Sequence, residues 1–405
     1  MDGEHTQSEL TAGTVQAWAS AFAEVERRLH PYFARSEARQ QTMTYLRGLL
    51  SPAERKNSWQ LAEVVGAATP YGFQHLLGRA DWDADAVRDE LQHYITAYFG
   101  HPEGIVVIDE TGFLKKGRMS AGVARQYSGA AGRVENAQIG VFLTYASPVG
   151  HTLLDRELYL PKEWTEDQER CAQAGIPARR TFQTKPALAR QMLERVFAAQ
   201  VPVRWVTGDS VYGDDRRLRL WLEEREQAYV LAVSGKDYVW VGWRQYQVKT
   251  LLAKLPAEGW ERLSAGTGAK GLREYDWLRQ PIGTGLQEPG RRWLLVRRSI
   301  AEPTELTAYV VFVPAGTALE TLVAVAGTRW TVESDFETTK GEVGLDHYEV
   351  RSWVGWYRHS TLAMWAQAVL TMIRAAAVEA ELPKRGLHRP GHASSLARFK
   401  ARRRL

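Results

Sequence analysis

The sequence predicts an α/β fold with a helical N-terminal domain and a β-rich insertion late in the core. Apolar residues recur at helical spacing up to about residue 100, and from Gly104 short β-branched runs alternate with helical segments. Between Gly235 and Pro314 the pattern changes to short alternating runs rich in Gly and Trp, which is typical of strands. Five parts are therefore expected: a helical domain at 1–100, the first part of the core at 101–234, the insertion at 235–316, the second part of the core at 317–382, and a basic tail at 383–405.

The N-terminal segment is predicted to be helical throughout. Its helical spacing is clearest in a set of apolar side chains: Trp18, Phe22, Val25, Leu29 and Phe33. Pro52 and Pro70 interrupt the pattern, and residues 83–98 form a further predicted helix. No strand-like alternation is visible, so this segment is either a separate helical bundle or a helical layer on the core.

Two buried strands of the core are each predicted to end in an acid. The apolar run GIVVID ends at Asp109, and VRWVTGD ends at Asp209. The other predicted core elements are strands over 138–145 and 152–160 joined near 148–150, a strand over 229–233, and helices over 185–199, 216–226, 318–344 and 356–381.

Composition and charge exclude several classes of protein. The 405 residues contain one cysteine, Cys171, which excludes an internal disulfide and a thiolate zinc cluster. No stretch approaches the roughly 18 apolar residues of a membrane span, and the acidic, polar N-terminus is not a signal peptide. The reducing cytoplasm is therefore the expected location. A net charge of +5 is a weak indication of nucleic acid, and the basic tail after Glu381 is either a phosphate-binding arm or a solvated end.

Asp109 and Asp209 are candidates for a site at the edge of the sheet. In an open α/β sheet, ligands bind outside the ends of the strands. The common alternative for an aspartate after a strand is a turn or a helix N-cap. Gly112, Gly208 and Gly213 lie close to these acids in sequence, which indicates the close approach of a backbone or a ligand.

A third acid lies on the helix predicted over 318–344. At 100° per residue, four charged side chains fall within about 80° of one another: Arg329, Glu333, Glu337 and Lys340. An adjacent apolar stripe faces the core: Val332, Phe336 and Val343. The alternative explanation is a solvated face of salt-bridged pairs, each worth a few tenths of a kcal/mol.

Three carboxylates on separate elements suit phosphoryl chemistry. Two magnesium ions about 3.5–4 Å apart hold the attacking and leaving oxygens of an in-line displacement. Magnesium takes a few carboxylates and keeps water or substrate oxygens in its other positions, so the site needs neither cysteine nor histidine. Arg329 and Lys340 would bind the phosphates that the carboxylates alone would repel.

The three acidic segments resemble the catalytic motifs of DDE transposases, and more narrowly those of the seven-zero-one branch of the insertion-sequence-four superfamily. IDETGFLKKG contains Asp109, TGDSVYG contains Asp209, and RWTVESDFETTKGEVGLDHYEVRSW resembles the Tyr-x2-Arg-x3-Glu-x6-Lys signature. Arg329, Glu333 and Lys340 match that spacing, whereas the tyrosine position is occupied by Ala326. The contact that this tyrosine makes must therefore be absent here or come from another residue.

The resemblance implies a fold and a set of roles. It implies an RNase H-like catalytic core in which Asp109, Asp209 and Glu333 hold two divalent ions, Mg²⁺ or Mn²⁺. Water and then a freed 3′-hydroxyl are the implied nucleophiles in metal-dependent cleavage and strand transfer of an insertion sequence. The implied partners are transposon-end and target DNA, bound by a homodimer near the bacterial nucleoid, with no membrane involved.

The resemblance also suggests which residues contact DNA. Arg329 and Lys340 are implied to bind phosphates. Trp330 is a candidate for the cleavage site or for core packing, and Tyr212 for substrate contact or for packing. The N-terminal helices, the insertion and the basic tail are all candidates for reading the ends.

Several alternatives remain open from sequence. Glu110 follows Asp109 directly but points to the opposite face of a strand, and Glu337 lies one helical turn beyond Glu333. A domesticated relative that binds DNA without cutting it is the main functional alternative. A glycosidase would need an acid pair about 5–10 Å apart and leaves the flanking cations without a purpose. A helical interaction protein suits residues 1–100 alone.

Overall fold

The computed structural model describes residues 12–268, 271–284 and 287–381, so the predicted basic tail at 383–405 lies outside the described residues. Helices form the first part: α1 Ala12–Leu29, α2 Ser36–Leu49, α3 Ser58–Val64, α4 Tyr71–Gly78 and α5 Ala84–Phe99. The next part alternates strands and helices: β1 Ile105–Leu114, β2 Ala124–Ser128, β3 Arg133–Ser147, β4 Gly150–Tyr159, α6 Lys162–Thr165, α7 Gln168–Gln173, α8 Lys185–Ala198, β5 Trp205–Gly208, α9 Ser210–Gly213, α10 Arg216–Glu223 and β6 Ala228–Val233.

The remaining elements cover the β-rich segment and the C-terminal helices. They are β7 Tyr238–Val241, β8 Arg244–Gln247, α11 Val248–Leu252, β9 Glu261–Gly268, β10 Gly271–Pro281, β11 Arg292–Arg298, β12 Leu306–Phe312, α12 Leu319–Thr328, α13 Trp330–Gly341 and α14 Trp353–Glu381. In the part of the chain that these elements span, no helix combines the length and the apolarity needed to cross a bilayer.

A single mixed sheet organises the core. Its strand order is β2-β3-β1-β5-β6-β12-β11-β10-β9, and β4 pairs with the other part of β3. The central pairs β1–β5 and β5–β6 are parallel, whereas the flanking pairs are antiparallel. A large mixed sheet with helices against it is the α/β architecture that the sequence predicts, and it is consistent with an RNase H-like nuclease.

Both faces of the central strands are covered, which explains why they read as continuous apolar runs. In β6, Tyr229 and Leu231 belong to the larger hydrophobic cluster, whereas Val230 and Ala232 belong to a smaller cluster on the opposite face. The smaller cluster is formed with α12, and the larger one includes α8, α13, α14 and the N-terminal helices.

The strand predicted to end at Asp109 is longer in the structure. β1 continues to Leu114 because β3 pairs with it along its whole length, from Ile105 opposite Ala146 to Leu114 opposite Ala137. Only the parallel pairing with β5 stops before Asp109. Asp109 therefore lies within a strand, at the point where one of its two neighbours ends.

The segment at 235–316 is β-rich, and most of its strands extend the same central sheet. β12 pairs with β6, and β11, β10 and β9 follow outwards in turn. β7 and β8 form a separate two-stranded sheet. The segment thus widens the platform on which α12 packs.

The helix predicted over 318–344 is divided in two. α12 ends at Thr328 and α13 begins at Trp330, with Arg329 at the junction. The residues of the predicted apolar stripe are buried, with Val332 and Phe336 on α13 and Val343 in the turn just after it. Arg329 itself keeps a helical backbone conformation, with φ −51° and ψ −31°, and lies at the edge of the sheet near Asp109.

The N-terminal helices are joined to the sheet by buried charges. Asp155 on β4 is inaccessible to solvent and accepts hydrogen bonds from Arg88 of α5 (2.7 Å) and Arg195 of α8 (2.9 Å). Burial opposes ionisation of Asp155, but its arginine neighbours together hold the pKa of this carboxyl below its usual value. Moving one member of this group away would leave a buried charge without a partner. The group therefore stabilises one orientation of the N-terminal helices on the sheet.

A buried histidine links the helical layer to the loop after α13. His359 of α14 is fully buried, with Nδ1 2.8 Å from the hydroxyl of Tyr45 and Nε2 3.2 Å from the carbonyl oxygens of Gly344 and Leu345. These partners indicate that Nε2 donates and that Nδ1 accepts. Burial lowers the pKa of His359 to about 4.

This depressed pKa predicts a loss of stability in mild acid. The unfolded histidine takes up a proton below about pH 6.5, whereas the folded one does so only near pH 4. The free energy of unfolding should therefore fall by up to about 3 kcal/mol as the pH drops through this window. Denaturant unfolding of the wild type and of His359→Gln at several pH values measures the effect. A variant that shows the same decline as the wild type would exclude His359 as its cause.

Candidate active site

Parallel pairing of β1 with β5 places two aspartates side by side. The last pair in register is Ile108 with Gly208, and the next residue on each strand is an acid. Asp109 and Asp209 therefore lie side by side where this parallel pairing ends, with Asp109 still paired with β3 and Asp209 just beyond the last residue of β5. Burial raises the pKa of Asp109, and the negative charge of the nearby Asp209 raises it further.

Asp209 also has the ordinary structural role of an aspartate after a strand. It is the N-cap of the short helix α9, and its Oδ1 accepts a hydrogen bond of 2.9 Å from the amide of Val211. The glycines nearby are explained by packing within the protein. A Cβ on Gly213 would lie 1.7 Å from the carbonyl oxygen of Ala232, so α9 can approach β6 only with glycine at this position.

Arg329 connects the first and third acids. Its Nη2 donates to Oε1 of Glu333 at 2.7 Å, and its Nη1 lies 3.7 Å from Oδ2 of Asp109. The Glu333 side chain is 45% exposed and that of Asp109 is 15% exposed, so the buried side of this arrangement is the strand edge. The separation of four residues places Arg329 one helical turn before Glu333, at the start of α13.

The strand edge carries more negative charge than its cations balance. Burial, followed by repulsion from Asp209, raises the pKa of Asp109 to about 7, although Arg329 opposes the shift. Burial and the nearby Glu110 raise the pKa of Asp209. A carboxylate pair that holds protons this tightly gains stability from an added cation.

The donor set fits a divalent ion of the magnesium or manganese type. Its candidate ligands are carboxylate oxygens alone, which hard cations prefer, and neither sulfur nor imidazole is needed. Within the ranges that the structure describes, no three His, Cys, Asp or Glu side chains are already gathered in a metal-binding geometry. The cation that now contacts both Asp109 and Glu333 is the guanidinium of Arg329.

Glu110 is oriented towards the other side of β1, as its position next to Asp109 predicts. Its carboxylate accepts hydrogen bonds from Lys185 at 2.6 Å and from the hydroxyl of Tyr212 at 2.5 Å. Lys185, the first residue of α8, was not among the predicted site residues, yet its positive charge is one of the influences that oppose the raised pKa of Asp209. Lys185 belongs to no recognisable sequence motif, and only the packing of α8 on the sheet brings it to this edge.

Tyr212, a candidate either for substrate contact or for packing, lies inside the protein in this structure. Tyr212 is fully buried, and its hydroxyl donates to Glu110, so the side chain ties α9 to β1. Packing was the other possibility left open by the sequence, and burial decides for it. Burial and Glu110 raise the pKa of Tyr212 well above its usual value, which keeps the hydroxyl protonated as a donor.

The other predicted site residues lie along α13. Lys340 is partly buried and its Nζ donates to Oγ1 of Thr111 (2.7 Å) and to the carbonyl oxygen of Gly112 (3.1 Å), so it contacts β1 just past Asp109. Trp330 is partly exposed and lies 5.5 Å from the guanidinium of Arg273.

The structure also shows where Glu337 and Ala326 lie. Glu337 is exposed on α13, one turn beyond Glu333. Ala326 lies on α12 and is buried in the smaller hydrophobic cluster, so the signature's tyrosine position belongs to the core here.

Comparison with known proteins identifies the class of this chain. The family described as DDE superfamily endonuclease matches residues 28–277, which is more than half of the sequence, and the chain belongs to that family. It is also similar to a probable transposase for insertion sequence element IS701 from Microchaete diplosiphon. The two are 27% identical over 319 residues, covering 76% of this chain and 78% of the relative.

These matches confirm the prediction of a DDE transposase of this branch, and with it the prediction of an enzyme. Endonucleases of this superfamily depend on divalent metal ions. The family match includes Asp109 and Asp209 and ends before Glu333. The third acid therefore rests on the sequence signature and on its contact with Arg329.

Burial of Tyr212 predicts an effect of Tyr212→Phe on stability and not on DNA binding. Loss of the hydroxyl leaves Glu110 with one donor fewer in a partly buried position, which costs about 1–2 kcal/mol. Denaturant unfolding and binding to a labelled DNA duplex measure the two properties on one preparation. Weaker DNA binding at unchanged stability would show that the hydroxyl contacts DNA after all.

Proposed function

We propose that the chain cleaves the DNA at the ends of an insertion sequence and joins the freed 3′ ends to target DNA. The observation that carries the proposal is the adjacency of Asp109 and Asp209 where the parallel pairing of β1 with β5 ends, with Arg329 joining Asp109 to Glu333. Oxygen donors beside a cationic side chain suit a phosphodiester substrate.

Three carboxylates are proposed to hold the metal ions. Asp109 and Asp209 supply oxygens from the sheet edge, and Glu333 supplies its carboxylate from α13. Two Mg²⁺ or Mn²⁺ ions bound there supply Lewis-acid stabilisation of the attacking and leaving oxygens. Asp109, with its pKa near 7, releases its proton readily at neutral pH when a cation approaches.

Arg329 is proposed to change partners when DNA binds. Its guanidinium now shares charge between Glu333 and Asp109. A phosphodiester offers two oxygens that can accept hydrogen bonds from one guanidinium together, so it competes for Arg329 and frees Glu333 for its metal-binding role. Lys340 and the partly exposed Trp330 lie on the same helix and are proposed to contact the DNA beside the cut.

The finer organisation is proposed on the same basis. An RNase H-like core would comprise residues 101–234 and 317–382, with the β-rich segment 235–316 inserted before the catalytic glutamate and the helices of 1–100 as an added domain. Pairing of two transposon ends calls for two active sites, so we propose a homodimer on DNA. A bacterial cytoplasm with access to the nucleoid is the setting that this activity requires.

Substitution of the three acids tests the proposal. Asp109→Asn, Asp209→Asn and Glu333→Gln each keep the shape of the side chain and remove a metal-binding charge. Mg²⁺-dependent cleavage of DNA carrying the inverted repeats that flank the gene should fall by at least about a hundredfold, while binding to that DNA persists. Gel analysis of nicked products measures the first effect, and fluorescence anisotropy the second.

Glu337→Gln is the matched control, because Glu337 lies on the same helix one turn further on and is exposed. It should cleave like the wild type. Full cleavage by one of the three acid variants would remove that acid from the proposed metal site. A wild-type protein that binds the repeats but never nicks them would favour the domesticated, binding-only alternative.

Lys340→Ala is expected to weaken DNA binding in a salt-dependent manner. Loss of one phosphate contact lowers the slope of log affinity against log salt by about 0.9 on duplex DNA. Lys340→Arg keeps the charge and should retain most of the slope. If Lys340→Ala keeps the full slope, the lysine only braces β1 through Thr111 and Gly112.

A further inference from the structure

A groove of about 860 Å³ opens beyond the end of β1, away from the three acids. Its walls come from the α2–α3 connection with α4, from the segment after β1, and from the connection between α13 and α14. Four cations line it: Arg55, Lys115, Lys116 and Arg351. Two carboxylates line it, Asp346 and Glu349, so positive charge prevails.

Hydrogen bonds hold the segments that line the groove in place. The side-chain amide of Asn136 donates to the carbonyl oxygens of Lys115 (2.6 Å) and Gly117 (3.0 Å), which holds the segment after β1. The amide of Ala121 donates to the carbonyl oxygen of Arg351 at 2.9 Å and joins that segment to the opposite wall. Defined walls lower the entropy lost when a ligand binds.

The third wall is attached in the same way. The amide of Lys56, next to Arg55, donates to Nδ1 of His347 at 3.2 Å, and Asn57 donates to Glu349 at 3.1 Å. The bond to Asn57 occupies one of the two acids in the groove. No ion-pair partner is found for Arg55, Lys116 or Arg351 within residues 12–268, 271–284 and 287–381.

The groove continues the line of cations that begins at the acids. Lys340 contacts β1 at Thr111 and Gly112, and its Nζ lies 5.6 Å from the ring centre of Phe113. Phe113 packs edge-on against Tyr348, and Nζ of Lys115 lies 3.5 Å from the Tyr348 ring centre. Two lysines thus flank one aromatic pair, between the acids and the groove.

From this continuity we propose that the groove binds the backbone of duplex DNA that extends from the cleaved bond. The inference rests on the proposed function, because it assigns a location to DNA that the acids cut. Lys115 lies six residues beyond Asp109 on an extended strand, which is about 20 Å. At about 3.4 Å per base pair, the groove contacts phosphates within roughly six base pairs of the cut. Arg55 brings the N-terminal helical segment into this contact.

The exposed cations of the groove allow a direct test. Lys116→Ala with Arg351→Ala removes two charges that no described ion pair uses. Anisotropy titrations with a labelled 30-base-pair duplex over a range of salt should show about tenfold weaker binding and a slope lower by about 1.8. Lys116→Glu alone should change binding in the same direction.

Arg204→Ala with Arg225→Ala is the matched control. Both arginines are exposed and precede β5 and β6, at the opposite edge of the sheet from Asp209, and their loss changes the net charge equally. This double variant should bind DNA with an almost unchanged slope. Thermal melting of all variants verifies that each remains folded.

The outcomes separate this inference from the proposed function. A wild type that cleaves DNA, together with a groove variant of unchanged affinity and slope, would overturn the groove and leave the function intact. Equal losses in the groove and control variants would also overturn it, since binding would then follow net charge alone. A change only in the monomer–dimer equilibrium, measured by sedimentation, would instead assign the groove to a second copy of the chain. Absence of any Mg²⁺-dependent cleavage by the wild type contradicts the function itself.

Discussion

Parallel pairing between β1 and β5 brings two like charges together at the edge of the sheet. Because Ile108 pairs with Gly208, Asp109 and Asp209 have no freedom to separate without breaking the central strands. The resulting repulsion, added to burial, raises the pKa of Asp109 to about 7. Two carboxylates held this close repel each other in the free protein, and a cation placed beside them removes that repulsion. The surrounding elements provide a cationic side chain or leave room for a metal ion.

The two sides of β1 serve different purposes. On one side, the break after α12 presents Arg329, and α13 follows with Glu333 and Lys340. On the other side, Glu110 is held by Lys185 and Tyr212, which fastens α8 and α9 to the same strand. The charged groups on the side of the proposed substrate therefore remain free to exchange partners. On the reverse side, Glu110 is already paired with two donors and helps to hold the acids in place.

Beyond the acids, β1 also organises the cations. Pairing with β3 extends the strand to Leu114, and this extension carries Lys115 to the groove behind the α13–α14 connection. One strand thereby fixes the position of the acids, which repel phosphates, relative to the cations, which attract them. A rigid strand suits this task because the spacing between its residues is fixed by its backbone geometry.

Local pattern in the sequence was enough to determine the acids at strand positions and the stripe of Val332, Phe336 and Val343, since periodicity reports which face of an element is buried. Tertiary structure alone decided that Tyr212 is buried against Glu110 and that Arg329 contacts Asp109. It also decided that β1 runs past Asp109. Each of these depends on contacts between residues far apart in the chain, and such contacts leave no periodic trace in the sequence.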